Sequence, residues 1–267
     1  MTLVDALAAL LTGPALTVAE LRADPEAVRR RYGLGEEDLA LISGVPDTVY
    51  AMVAGDVAEK HRVVIGLALP GTVAEVIARH RSVLREYVTG SVRPAHPDDP
   101  VGAVRSATAF LDFAAGRLPS GLLAFGRFEL ERYRLGRDEV AVRAARHWYE
   151  TGPRQVAALD ADAVEHGVPV VPATVVVLDL DHDVTAPDAP AVVPATAVPV
   201  ALQRTWQEPV RAFRLDSGTR ELLRMCDGTR TGARAAAAAG AGPQEGGAAL
   251  LALARSGLLV IARSAAR

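Results

Sequence analysis

The sequence predicts an α+β fold: a helical N-terminal domain followed by a small winged-helix-like module with a β-sheet. Three observations carry that expectation. From residue 1 to about 150, apolar residues recur three and four apart and the pattern breaks at Gly or Pro, as amphipathic helices require. Beyond about 150 the texture changes, and "VPVVPATVVVLDLDHDVTAPDAPAVVPATAVPVALQRTW" is rich in Val, Pro and Thr with a period closer to two than to 3.6. Finally "FRLDSGTRELLRMCDGTRT", residues 213 to 231, reads as an entry strand, a helix start, an apolar helix and a turn. Two domains are expected: 1–150, helical, and 151–267, a β-hairpin plus a winged-helix-like module.

In chain order, "MTLVDALAALLTGPAL" has an apolar run without a basic flank, and Asp5 interrupts its start, so it predicts a short amphipathic helix rather than a signal peptide. "RADPEAVRRRYGL" carries the clearest helix start. Asp24 can accept from the free amides of the first turn, Pro25 is preset for the first helical position and Gly33 supplies the stop, with Val28 and Tyr32 sharing a face with Leu21. "EEDLALISG" predicts a second helix and "PDTVYAMVAGDVAEKHRVVIGLAL" a longer one after Pro46. "GTVAEVIARHRSVLREYVTG" continues the pattern as one stripe of Val73, Ile77, Leu84 and Val88. "DPVGAVRSATAFLDFAAG" and "SGLLAFGRFELERYRL" add two more, with Asp98 or Asp99 and then Ser120 expected as caps.

In the second half, strands are predicted near 173–180, 197–206 and 209–215, joined by a Pro/Ala/Asp loop at about 185–196, with the prolines confined to strand ends or edges. Asp216 or Ser217 caps the next helix, whose buried side is Leu222, Leu223 and Cys226 and which ends at Asp227-Gly228. Thr229 or Thr231 starts an Ala-rich helix, "GAGPQEGG" is a flexible turn, "GAALLALARSG" a third helix and "LLVIAR" a terminal strand.

Composition narrows function. A chain of 267 residues with 50% hydrophobic and 23% charged residues is ordinary for a globular protein. Lys60 is the sole lysine among 29 basic residues, and a net charge of -3 lacks the basic footprint of a chain-wide nucleic-acid binder. The single cysteine, Cys226, excludes an internal disulfide and a cysteine-rich zinc site and fits a reducing, cytoplasmic setting. No apolar run reaches the ~20 residues that span a bilayer.

The chemistry-bearing residues read as structural. Six histidines (61, 80, 96, 147, 166 and 182) show no metal-ligand spacing. "LDLDHDV" clusters Asp179, Asp181, His182 and Asp183, and alternation sets the three aspartates on the solvated face of a strand. There is no GxSxG, Cys226 beside Leu222 and Leu223 predicts a small core residue, and neither phosphate-loop pattern occurs. Arg29, Arg30 and Arg31, flanked by Glu26, Glu36 and Glu37, predict a salt-bridged solvent face.

The helix "LLAFGRFELERYRL", the hairpin-rich segment and "VRAFRLDSGTRELLRMCDG" together resemble the accessory proteins that pair with multinuclear non-haem iron oxidative enzymes in ribosomal peptide maturation, as in methanobactin biosynthesis. The strand entering "RLDxGxxxLLxxLxxG" is a landmark of that family, matched here by Arg214, Leu215, Asp216, Gly218, Leu222 and Leu223, with Gly228 supplying the closing glycine one position early and Met225 and Cys226 varying the apolar positions. "MCDGTRT" is similar to a turn of the winged-helix leader-binding domains that resemble the PqqD protein. The first 45 residues, with "LRADPEAVRRRYGLGEEDLALI", resemble the helical alpha subunit of extradiol ring-cleavage dioxygenases.

The resemblance implies a non-catalytic, cytoplasmic partner that binds no cofactor itself, leaves the iron to its enzyme partner and holds the leader of a precursor peptide. It implies neither nucleic acid nor membrane as partner. Strand addition is the expected mode. The expected peptide contacts are Arg211 and Phe213, alternating in direction on the strand from Val210 to Leu215, together with Leu250, Leu253 and Arg255 on the third helix. Phe125, Phe128 and Tyr133 are the expected anchors of the enzyme interface, since interface centres favour aromatics. Two rivals remain: a winged-helix transcription regulator, weakened by having only Arg234 and Arg255 around its recognition helix, and a subunit of a ring-cleavage-type dioxygenase, which needs two His and a carboxylate.

Overall fold

The structure, a computed structural model, describes residues 2–12, 16–90, 96–185, 195–207 and 210–262. It is an α+β fold, mostly helical, with small antiparallel sheets toward the C-terminus. Two compact units are present, Met1–Leu130 and Glu131–Arg267. The change of texture near residue 150 lies within the second.

Unit 1 is built from α1 (Leu3–Thr12), α2 (Val18–Ala23), α3 (Pro25–Tyr32), α4 (Glu36–Gly44), α5 (Asp47–Ala68), α6 (Pro70–Arg79), α7 (Arg81–Gly90), α8 (Pro100–Ala114) and the first part of α9 (Ser120–Arg137). The starts are locally encoded. Proline, whose missing N–H would be unbonded there anyway, opens α3, α6 and α8. Asp24 accepts from Ala27 N, and Gly33 ends α3 with a left-handed φ of 65°. The missed helix α2 announces itself by a capping box, in which Thr17 accepts from Glu20 N and Glu20 from Thr17 N.

The stretch expected as one stripe from Val73 to Val88 is two helices, α6 and α7, broken at His80 with φ −133° and ψ 33°. Asp99 takes the cap position of α8 but makes no side-chain cap bond. Glu129 on α9 holds the start of α6, taking Gly71 N at 2.7 Å and Thr72 N at 2.9 Å, which satisfies two amides no helical carbonyl can reach. Ala6, Leu10, Leu21, Val28, Tyr32 and Tyr50 share one apolar cluster, and Tyr50 donates to the Ile42 carbonyl at 2.9 Å. Arg29 pairs with Glu26 at 2.7 Å on the expected solvated face.

Unit 2 contains α10 (Glu139–Ala157), α11 (Ala161–His166), β1 (Val168–Val170), β2 (Val175–Leu180), β3 (Val198–Gln203), β4 (Arg211–Arg214), α12 (Ser217–Met225), α13 (Gly232–Ala238), α14 (Pro243–Arg255) and β5 (Val260–Ala262). The predicted strands and helices of the C-terminal half are present, whereas α10, α11 and β1 are not predicted from the sequence, the last two because each is very short. Most of the 185–196 loop and residues 208–209 of the predicted third strand lie outside the described residues. Asp216 caps α12 by accepting from Thr219 N, and Thr231 takes the cap position of α13.

Two expectations change. The "GAGPQEGG" segment is a turn only as far as Gly242, for α14 begins at Pro243. Gly246 belongs to that helix because an ideal Cβ there would lie 2.3 Å from the Ala236 Cβ, so only glycine permits this approach to α13. Asp183 is buried, not solvated: β2 stops at Leu180, alternation stops with it, and Asp183 accepts from Thr185 Oγ1 at 2.7 Å and pairs with Arg214 at 3.1 Å. Asp179 does face water, where the Arg220 guanidinium grips it at 2.6 Å and holds its carboxyl below the ordinary range. Among the described residues no helix is long and apolar enough to cross a membrane.

Candidate functional site

The three-stranded sheet has the order β2-β3-β4, so β3 is paired on both sides while β4 has no second neighbour among the described residues. Its register sets Gln203 opposite Arg211, Leu202 opposite Ala212, Ala201 opposite Phe213 and Val200 opposite Arg214. Leu215 N donates to the Pro199 carbonyl at 2.9 Å. Bonded and non-bonded pairs alternate along an antiparallel ladder, so Phe213 and Arg211 bond to β3 while the N–H and C=O groups of Ala212 and Arg214 face the open edge. Arg211, Ala212 and Arg214 are exposed and Phe213 is half-buried. Such an edge is a template for another strand.

A polar pocket of about 170 Å³ lies at the start of β4, lined by Trp148 and Tyr149 of α10, Gln203, Trp206, Arg211 and Ser256 among others. Gln203 Nε2 donates to the Ser256 carbonyl at 2.9 Å, tying the end of β3 to the end of α14. Gly257 has φ 74°, and an ideal Cβ there would lie 2.8 Å from both Gln203 Nε2 and Trp148 Nε1, so glycine is needed for the chain to turn against the indole. Trp206 is 46% exposed, with the Arg146 guanidinium 5.7 Å from its ring centroid.

Both tryptophans of the chain therefore frame one pocket. Sequence reading missed them, although their scarcity was the available signal. Trp148 lies in α10, and Trp206 lies in the β3–β4 connection.

Of the expected peptide contacts, Arg211 lines the pocket and Arg255 is exposed in the last turn of α14, one residue before Ser256. Arg211 and Phe213 do not alternate in direction; two residues apart on a strand, they share a face. Phe213 packs on the core of unit 2. Leu250 and Leu253 lie within that core, at 1% and 7% exposure, because they fall on the inward stripe of α14. Leu250 also forms part of the wall of a separate apolar cleft of about 590 Å³ between α11, α13 and α14.

Among the expected interface anchors, Phe128 is buried and its ring centroid lies 6.1 Å from that of Phe125. Phe125 is half-buried over Gly71, where an ideal Cβ would come 2.8 Å from the ring. Tyr133 is half-buried, with the Arg137 guanidinium 5.2 Å from its ring centroid.

Cys226 is buried, its thiol donating to the Leu222 carbonyl at 3.1 Å, and burial pushes its pKa up to about 12. Among the described residues no group of three or more His, Cys, Asp or Glu is placed to hold a metal ion. What the arrangement offers chemically is backbone donors and acceptors in a row beside an aromatic, polar pocket. No protein-family model matches the chain, and no curated protein matches it.

Proposed function

We propose that this chain is a non-catalytic partner subunit in ribosomal peptide natural-product biosynthesis, which binds the leader of a precursor peptide and presents its core to a multinuclear non-haem iron oxidative enzyme. The observation that carries the peptide-binding part is the open edge of β4 ending at the Trp148–Trp206 pocket. A leader strand pairing with Ala212 and Arg214 takes backbone hydrogen bonds there, and one of its side chains enters the pocket, where tryptophans give large contact area at low entropic cost.

The iron-enzyme partner rests on the resemblance of the segment from Arg214 to Gly228. Its landmark residues have physical roles that suit a recognition module: Asp216 caps α12, Leu222 and Leu223 build the core, and Gly228 turns with φ 79°. In this reading the complex works in the cytoplasm, and the iron stays with the enzyme.

The test is purification of tagged full-length protein from its native cells, followed by iron analysis and mass spectrometry of what accompanies it. Wild type is expected to carry an iron-containing enzyme and a short precursor peptide. Ala212→Pro removes an outward-facing N–H but no β3 bond, and edge strands tolerate proline; it is expected to lose the peptide while keeping the enzyme and its circular-dichroism spectrum. Iron bound to this chain alone, or equal peptide recovery with both proteins, overturns the reading.

A further inference from the structure

Unit 1 carries a groove that the peptide-docking reading does not use. It lies between α5 and α7, with Ile77 of α6 at its base, and holds about 460 Å³. Its floor is apolar: Leu84 and Val88 are buried beneath it, Ile77 is half-buried, and Ala58 closes the α5 side. Its rim is basic. Arg62 is engaged by Glu59, but Arg81 and Arg85 are exposed and have no acidic partner among the described residues.

The placing of these two arginines works against the helix that bears them. Arg81 is the first residue of α7, whose first turn has no acidic residue, so its cation meets the positive end of the helix dipole. Arg85 lies four residues on, and like charges at that spacing repel. An anion seated between them relieves both terms.

Gly55 makes a second, independent point. It lies inside α5, where glycine is unfavourable, yet an ideal Cβ there meets nothing within 4 Å. Among the described residues no neighbour requires that glycine, and it lines the groove where a side chain would narrow it. The apolar surface continues along the same face of α5 through Met52, one turn earlier and 62% exposed, and Val63, one turn beyond Glu59.

We infer that this groove docks an acidic, amphipathic segment of a partner protein, with large apolar side chains on the Ile77–Leu84–Val88 floor and carboxylates on Arg81 and Arg85. Charge complementarity selects the acid, and the floor selects a polypeptide over a nucleic acid, whose phosphates would use the arginines and leave the apolar surface in water. The inference stands without the leader-binding reading, since it concerns other residues and another unit.

The experiment selects a displayed library of random 12-residue peptides on the full-length protein, with Arg81→Glu/Arg85→Glu and Gly55→Leu as counter-targets. Peptides held by wild type are expected to combine Asp or Glu with large apolar residues, and to weaken by roughly tenfold or more on either variant. Glu at the start of α7 suits the dipole while the repulsion between positions 81 and 85 stays the same in kind, and Leu suits a helix interior, so both variants are expected to melt at or above the wild-type temperature. Four results overturn the inference: no peptide that distinguishes wild type from the variants, distinguishing peptides without the acidic and apolar pattern, a short DNA duplex that displaces them, or variants that melt lower than wild type.

Discussion

At Cys226 the deciding fact is environment. The thiol is buried among apolar residues, and burial together with the neighbouring Asp227 carboxylate raises its pKa to about 12. Thiolate is the reactive form, so at pH 8 alkylation by iodoacetamide, followed by mass spectrometry, should be slow in native protein and fast once denaturant opens unit 2. Asp216 shows the opposite shift. The Thr219 backbone N–H, at 2.8 Å, and then the Thr219 hydroxyl, at 2.7 Å, hold its carboxyl below the ordinary value of 3.8. A folded pKa below the unfolded one stabilises fully above the ordinary value and is lost as pH falls through the lowered one. Asp216→Ala should therefore cost about 1 kcal/mol at neutral pH, measured by urea unfolding, and the difference from wild type should shrink below the ordinary aspartate range. Both roles were legible in the sequence, since a cap precedes its helix and a core cysteine sits at helical spacing from leucines. Asp183 was not: its burial follows from where β2 ends and from Arg214 arriving across the sheet.

At the scale of elements, the contact of α13 with α14 turns on one glycine. Gly246→Val would drive a branched side chain into Ala236 and should cost about 1–3 kcal/mol by overpacking. Its neighbour is the control. Among the described residues nothing lies within 4 Å of an ideal Cβ at Gly247, so Gly247→Ala should stabilise unit 2 by about 0.5–1 kcal/mol. Thermal denaturation of both variants checks the pair, and a loss in both would show that α14 starts after residue 247. Glycine is a turn signal, so the sequence predicts a flexible turn at these positions, and only the approach of α13 distinguishes a packing glycine from a loop glycine. The split of α6 from α7 at His80 was hidden for a related reason: the apolar period runs through the break, so periodicity alone cannot see it.

For the whole molecule, two compact units with separate apolar clusters imply separable responses. Hydrogen exchange on Gly246→Val should lose protection in α12, α13 and α14 and leave α1 to α4 as in wild type. Loss in both sets would make the two units one cooperative body. The sequence by itself determined the α+β class, most helix starts and the core face of α12, because caps, prolines and apolar periods act within a few residues of chain. Tertiary structure alone decided that β4 lies at the edge, that Trp148 and Trp206 meet beside it, that Leu250 and Phe128 turn inward, and that Arg81 and Arg85 rim an open groove. The physical reason is range: strand order and the meeting of distant side chains depend on which surfaces bury each other, and no local period records that choice.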